Sequence, residues 1–326
     1  MATWVNTMKK RVYFLGLLAC GLVALLTFVI PRFNPFGEDH PLIDDQPGIL
    51  RYQRPKDIIG VSRPAWSNYP DKVIYVGTQH GNDFGVYQLN LTSKENKRLF
   101  PQEEIVFYAF DQNRSQWAFL SHNIDTGVEG FFGYQNSERE PIEDYACDGE
   151  PESWSPTSQE LITIGSCGNP KRPCMCLVNL SSGKSSVLVE ARNRDESIIE
   201  ASWSPDGKKI ALIYGTPPYS LYEFNVENGT LMELIKEPVI SIANPRWDKT
   251  GDWIVYILRD GNNKSYLGII RSDGKCNRKL FSGISGIKRF DLMDSDTKSA
   301  FLLLDQNDYF YTLETTEMSK AMDLCQ

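Results

Sequence analysis

The chain has 326 residues, 41% hydrophobic and 12% aromatic, which is too much apolar surface for a disordered protein. Its net charge is −8, and residues 1–30 contribute only Lys9, Lys10 and Arg11, so the remainder carries −11. A body that acidic lacks the basic footprint nucleic acid requires, and it does not lie flat on an anionic bilayer.

The first predicted element is a membrane span. Residues 12–30 carry no charge and are bounded by Lys9-Lys10-Arg11 and Pro31-Arg32. At about 1.5 Å per residue they reach roughly 28 Å, close to the thickness of a hydrocarbon core. The basic flank places residues 1–11 in the cytoplasm and everything after the span on the periplasmic, extracellular or lumenal side. A cleaved signal peptide has a shorter apolar stretch followed by polar sequence. Leu17-Leu18-Ala19-Cys20 resembles a lipobox, but the residues after Cys20 stay uncharged to Ile30. The reading is an uncleaved signal anchor of a single-pass membrane protein.

Residues 31–56 hold Pro31, Pro35, Pro41, Pro47 and Pro55 together with Glu38, Asp39, Asp44 and Asp45. Proline stiffens such a segment and the acids keep it solvated, so it reads as an extended linker. Within it, Ile49-Leu50-Arg51-Tyr52 can add a strand to the domain that follows.

Residues 57–326 are organised by a repeat. Trp66, Phe110, Trp154, Trp203, Trp247 and Phe290 recur at spacings of 44, 44, 49, 44 and 43. Each is followed by a polar turn, an apolar strand, a loop, a third strand and a short fourth strand. In Ser204-Pro205-Asp206-Gly207, proline presets one turn dihedral and glycine takes the positive φ after it. Asn228-Gly229 and Asp273-Gly274 sit where the hairpin from third to fourth strand needs them. One four-stranded sheet cannot bury both faces, whereas six packed radially can. The expected fold is therefore all-β, a six-bladed β-propeller of four-stranded antiparallel blades behind one transmembrane helix.

Ser202-Trp203-Ser204-Pro205-Asp206-Gly207-Lys208-Lys209-Ile210-Ala211-Leu212 resembles the repeat of TolB-like, WD40-related propellers. Glu152-Ser153-Trp154-Ser155-Pro156 and Pro245-Arg246-Trp247-Asp248 are diverged copies, and blades two and six lack the tryptophan. The motif builds turns rather than sites. What the resemblance implies is a docking subunit of an envelope complex; the membrane tether departs from the soluble TolB pattern.

Outside the span lie Cys147, Cys167, Cys174, Cys176, Cys276 and Cys325, an even set that suggests disulfides in a non-cytoplasmic domain. A Cys147–Cys167 bridge competes with Cys167–Cys174, and Cys276–Cys325 could fasten the C-terminus. Zinc at Cys167, Cys174 and Cys176 is the weaker alternative, because Cys-x-Cys is not the usual ligand spacing. Asn90, Asn113, Asn179, Asn228 and Asn263 begin glycosylation sequons, which act only in a secretory pathway that glycosylates.

His80 and His122 each open a His-x-x-Asp, with Asp83 and Asp125, in the loops between second and third strands of blades one and two. Four groups capable of binding metal could converge there, although loops are rich in such residues anyway. The sequence has no Gly-x-Ser-x-Gly, phosphate loop, dinucleotide fingerprint or calcium loop. The expectation is a non-catalytic module without a cofactor, docking a protein partner or another membrane subunit. Its binding face is formed by loops 78–84, 121–130, 165–173, 215–220, 259–265 and 305–309, which present His80, His122, Arg172, Tyr219 and Arg259. The alternative is an enzyme, such as a metal-dependent lyase or hydrolase, or a carbohydrate-binding protein working through the central funnel.

Overall fold

A computed structural model describes residues 49–324, apart from 80–82, 112–115, 124–128, 136–137, 142–147, 158, 181, 183, 236–240, 260–263, 281–285 and 295–298. The predicted span over 12–30 and most of the linker lie outside the described residues. Among those described, no helix is long and apolar enough to cross a membrane.

Strand β1 (Leu50–Tyr52) precedes the first blade, which is β2 (Gly60–Trp66), β3 (Lys72–Thr78), β4 (Phe84–Asn90) and β5 (Asn96–Arg98). The second is β6 (Glu103–Phe110), β7 (Gln116–Asn123), β8 (Glu129–Gln135) and β9 (Glu138–Pro141). The third comprises β10 (Asp148–Trp154), β11 (Glu160–Cys167), β12 (Arg172–Asn179) and β13 (Ser185–Glu190). The fourth comprises β14 (Ser197–Trp203), β15 (Lys209–Gly215), β16 (Ser220–Asn225) and β17 (Leu231–Glu233). The fifth runs through β18 (Ser241–Trp247), β19 (Trp253–Arg259), β20 (Ser265–Arg271) and β21 (Asn277–Leu280). Then come β22 (Ile287–Asp294), β23 (Ser299–Asp305), β24 (Phe310–Glu314) and helix α1 (Thr316–Asp323).

Each of these five blades is one antiparallel sheet of four consecutive strands. The remaining sheet is composite, in the order β1-β24-β23-β22. The expectation of six tandem units is corrected here. Five are complete in consecutive sequence, and the last sheet takes its outer strand from the N-terminal side, with Arg51 opposite Tyr311.

A second correction concerns the landmarks. In blades one to five the aromatic pairs with a residue seven positions later, as in Trp66 with Val73 and Trp203 with Ile210. In the composite sheet the pair seven apart is Met293 with Ala300, while Phe290 faces Leu303. Spacing chose Phe290 because it is aromatic; strand register gives the tryptophan position to Met293.

The turns behave as their chemistry requires. Gly207 has φ +73°, and the Ser204 backbone N–H donates to Lys209 O at 2.8 Å. Asp248 fills the place of Ser204 one blade on, accepting from the Trp253 N–H at 3.0 Å. Between blades the core is aromatic and aliphatic. Tyr75 and Phe310, 5.4 Å apart by ring centroids, help seal the seam where blade one meets the composite sheet. Three further bonds stitch that seam. Trp66 donates its N–H to Asp291 Oδ2 at 2.9 Å and its indole N–H to Ala300 O at 3.3 Å, and Lys288 Nζ donates to Val61 O at 2.8 Å. Helix α1 buries Met318 and Ala321 in the cluster that holds Trp253 and Leu280, covering the rim of blade five.

Candidate functional site: a charged constellation in the central channel

First strands pack on one another from β6 through β10, β14, β18 and β22 to β2, while β6 meets β3 and β4 of blade one. They surround a central channel. Every one carries a register shift, between Ser62 and Ala65, Ile105 and Phe107, Pro151 and Ser153, Ile198 and Glu200, Ala243 and Arg246, and Ile287 and Arg289. A bulge inserts an unpaired residue and re-aims side chains. Here it brings polar groups of distant blades together.

Arg63 and Asn244 occupy equivalent bulges, three residues before Trp66 and Trp247, and each precedes a proline. Proline has no N–H to lose from the ladder, so it suits the unpaired position. Both residues sit at positive φ, +48° and +57°, a conformation that L-residues hold only when tied down. The ties are present. Tyr108 Oη donates to Arg63 O at 2.6 Å, and Asn244 Nδ2 donates to Phe290 O at 2.7 Å.

Two clamps follow, each skipping one blade. Arg63 of blade one reaches blade three, donating from Nη2 to Glu152 Oε1 at 3.3 Å, with Glu150 Oε2 at 3.5 Å. Beneath it lies blade two's Phe107, whose ring centroid is 4.4 Å from the guanidinium carbon, a cation–π distance. Arg289 of the composite sheet reaches blade four's Glu200 and pairs with Oε1, while Oε2 accepts from the Asn244 backbone N–H of the intervening blade.

This crowding shifts ionisation. Burial raises the Glu150 carboxyl to about 7; Arg63 opposes the rise, Glu152 adds to it and Arg289 opposes it. Burial lowers Arg289 to about 10, assisted by repulsion from Arg63 and resisted by Glu152 and Glu150. A third of the Arg289 side chain remains exposed, so water retains access to it.

The residues expected to carry function are described only in part. His80 and Asp125 fall outside the described residues, and of His122 only the strand position is described, on β7 opposite Glu104 and Glu129. Asp83 is engaged by Arg98 Nη1 at 2.9 Å. Arg172 opens β12 and donates to Arg192 O at 3.3 Å, with Glu190 3.6 Å away. Tyr219 packs against the blade-four cluster, and Arg259 ends β19, exposed. Among the described residues, no group of three or more His, Cys, Asp or Glu could hold a metal.

Cys167, Cys174 and Cys176 form one buried cluster. Cys167 is a free thiol, so neither the Cys147–Cys167 nor the Cys167–Cys174 bridge exists. Cys176 and Cys276 are half-cystines. A half-cystine has no thiolate for a metal, which removes the Cys167, Cys174 and Cys176 zinc set. Cys147 and Cys325 lie outside the described residues.

The channel residues went unnoticed in sequence, yet a signal existed. Arg63, Glu200 and Asn244 stand at the same phase, three residues before a buried tryptophan, where a first strand would otherwise be apolar or neutral.

Solved structures share the overall fold of the described residues. TolB from Acinetobacter baumannii is 15% identical, with a TM-score of 0.54 over 77% of this chain; the match spans 65% of that protein. TolB from Agrobacterium tumefaciens is 13% identical, with a TM-score of 0.56 over 78% of this chain and 89% of that one. The fold is that of a TolB-like β-propeller. Oligogalacturonate lyase from Vibrio parahaemolyticus has it too, at 14% identity, a TM-score of 0.51, and coverage of 83% and 97%. At such identities the likeness to TolB or to the lyase is one of fold alone. No family model and no curated protein matches the sequence.

Proposed function

We propose that this chain is a non-catalytic docking subunit, tethered by residues 12–30 and presenting its propeller to a protein partner on the far side of the membrane. The observation that carries the reading is the pairing of charges across the channel. A carboxylate held by a guanidinium and a backbone N–H, as Glu200 is, serves as a tie rather than a poised base. Such ties make the ring a rigid platform, and rigid platforms bind through the loops at their rim. On the face built from second-to-third strand loops, Arg172, Tyr219 and Arg259 offer the residue types that dominate protein interfaces. The TolB-like fold supports the same reading, since the resemblance implies an envelope docking subunit.

The test is crosslinking in native membranes with the full chain and with an Arg172→Glu, Arg259→Glu double variant. The reading expects a reproducible partner for the wild type and its loss in the variant, with the melting temperature unchanged. Recovery of the propeller alone, or equal crosslinking by the variant, would overturn it.

A further inference from the structure

Third strands end alike in three blades: Asn90 closes β4, Asn179 closes β12 and Asn225 closes β16. Each side chain caps the hairpin into the fourth strand, as asparagine does in turns. Asn90 Oδ1 accepts the Thr92 and Ser93 N–H groups at 2.8 Å, and Asn179 Oδ1 accepts the Ser182 N–H at 3.0 Å. Asn225 Oδ1 accepts the Glu227 and Asn228 N–H groups at 3.0 Å. Asn225 does this without belonging to a sequon, so turn chemistry alone accounts for Asn90 and Asn179. Their surroundings are also closed. Asn90 Nδ2, the atom a glycan would take, donates to Asp71 Oδ2 at 2.9 Å, and Leu91 is buried. Leu180 packs against the cluster of Trp154 and Val178.

Asn228 differs on each count. It stands in the β16–β17 hairpin, where Glu227 through Thr230 are all exposed. A β-carbon on Gly229 would meet no atom within 4 Å, so the space around the tip is open. Asn228 Oδ1 accepts from the Thr230 N–H at 3.0 Å and from its hydroxyl at 2.7 Å, while Nδ2 makes no hydrogen bond among the described residues. We propose that Asn228 is an N-glycosylation site on the end of the ring opposite the docking loops. The donor is an oligosaccharide on a polyprenyl diphosphate, brought with its transferase. Nδ2 bonds to C1 of the sugar and gives up one proton, the C1–O bond breaks, and the lipid diphosphate leaves. The Thr230 hydroxyl polarises the carboxamide toward that proton loss. Cys176 and Cys276, both half-cystines, suit the oxidising side of a membrane, where such transfer occurs. The glycan rises at the start of β17, the outer strand of blade four, whose Met232 is exposed. A bulky solvated group there blocks pairing along that open edge and leaves the loop face to the partner.

The inference rests on the far-side placement of the propeller in the docking reading, and not on the partner. The test is intact-glycopeptide mass spectrometry of the full chain from native membranes, with a Thr230→Ala variant beside the wild type. Wild type should carry glycan mass on the Asn228 peptide and none on those of Asn90 and Asn179. Thr230→Ala should lose it and keep its melting temperature. A glycan that persists in Thr230→Ala, or that sits on Asn90 or Asn179 in place of Asn228, overturns the assignment. So does a bare Asn228 in the wild type. Protease added to the cytoplasmic face of sealed vesicles then shows which premise failed. Digestion of the propeller means that its far-side placement is wrong, whereas protection means that the modification alone is wrong.

Discussion

Arg63 donates to Glu152 across an entire intervening blade, at 3.3 Å, from a backbone held at φ +48°. The bond joins the blade beside the seam to the third blade, so it braces the ring on the side where a three-residue strand completes the composite sheet. Removing the guanidinium strands two carboxylates in the channel. Breaking a fully buried pair costs about 3–5 kcal/mol, and the partial exposure here brings the expectation for Arg63→Met to about 2 kcal/mol. Adding Glu152→Gln should restore about 1 kcal/mol of that loss, read by denaturant unfolding of the double-mutant cycle.

Glu150 makes stability depend on pH in an unusual direction. Its folded value, about 7, lies above the ordinary 4.5, so the folded state binds the proton more tightly than the unfolded state. Below 4.5 both states are protonated and the group is neutral in its effect. Between 4.5 and 7 the penalty of ionising it in the fold grows, and above 7 it is complete. Glu150→Gln should therefore be more stable than wild type by about 1–2 kcal/mol at pH 8, after allowing for exposure, and nearly equal at pH 4.5. Melting temperatures across that range check the sign.

Asn244 should separate hydrogen bonding from backbone strain. Asn244→Ala loses the bond to Phe290 O and forces a β-carbon to stay at φ +57°, for an expected cost of about 2 kcal/mol. Asn244→Gly loses the same bond but adopts that φ readily, and should cost about 1 kcal/mol less. Equal losses would mean that the backbone is not held at this conformation.

Much of the molecule was legible in its sequence, for a physical reason. Tryptophans that anchor sheets and turns that need Pro-Asp-Gly are local demands, so they survive as a visible period. Closure through Leu50–Tyr52 was legible only as an option, because pairing with β24 is a contact across the whole chain. Met293 was missed because side-chain type and strand register part company there. The channel constellation was missed because Arg63, Glu150, Glu152, Glu200 and Arg289 acquire meaning only once the ring brings separate blades together.

Cys167 offers a test of the cysteine assignment. A free thiol 4% exposed should resist alkylation in the native protein and react on unfolding without reductant. Mass spectrometry after native and then denaturing alkylation, both under non-reducing conditions, should find Cys167 in the second label only. Cys176 and Cys276 should take label only after reduction.

The central claim is that the loop face carries the partner, and photocrosslinking from chosen positions tests it most directly. A photoreactive residue at Arg172, Tyr219 or Arg259 should yield one discrete partner adduct in native membranes. The same residue at Tyr69, exposed in the turn between first and second strands at the opposite end of blade one, should yield none. A partner captured from Tyr69 and not from the three loop positions would contradict the account.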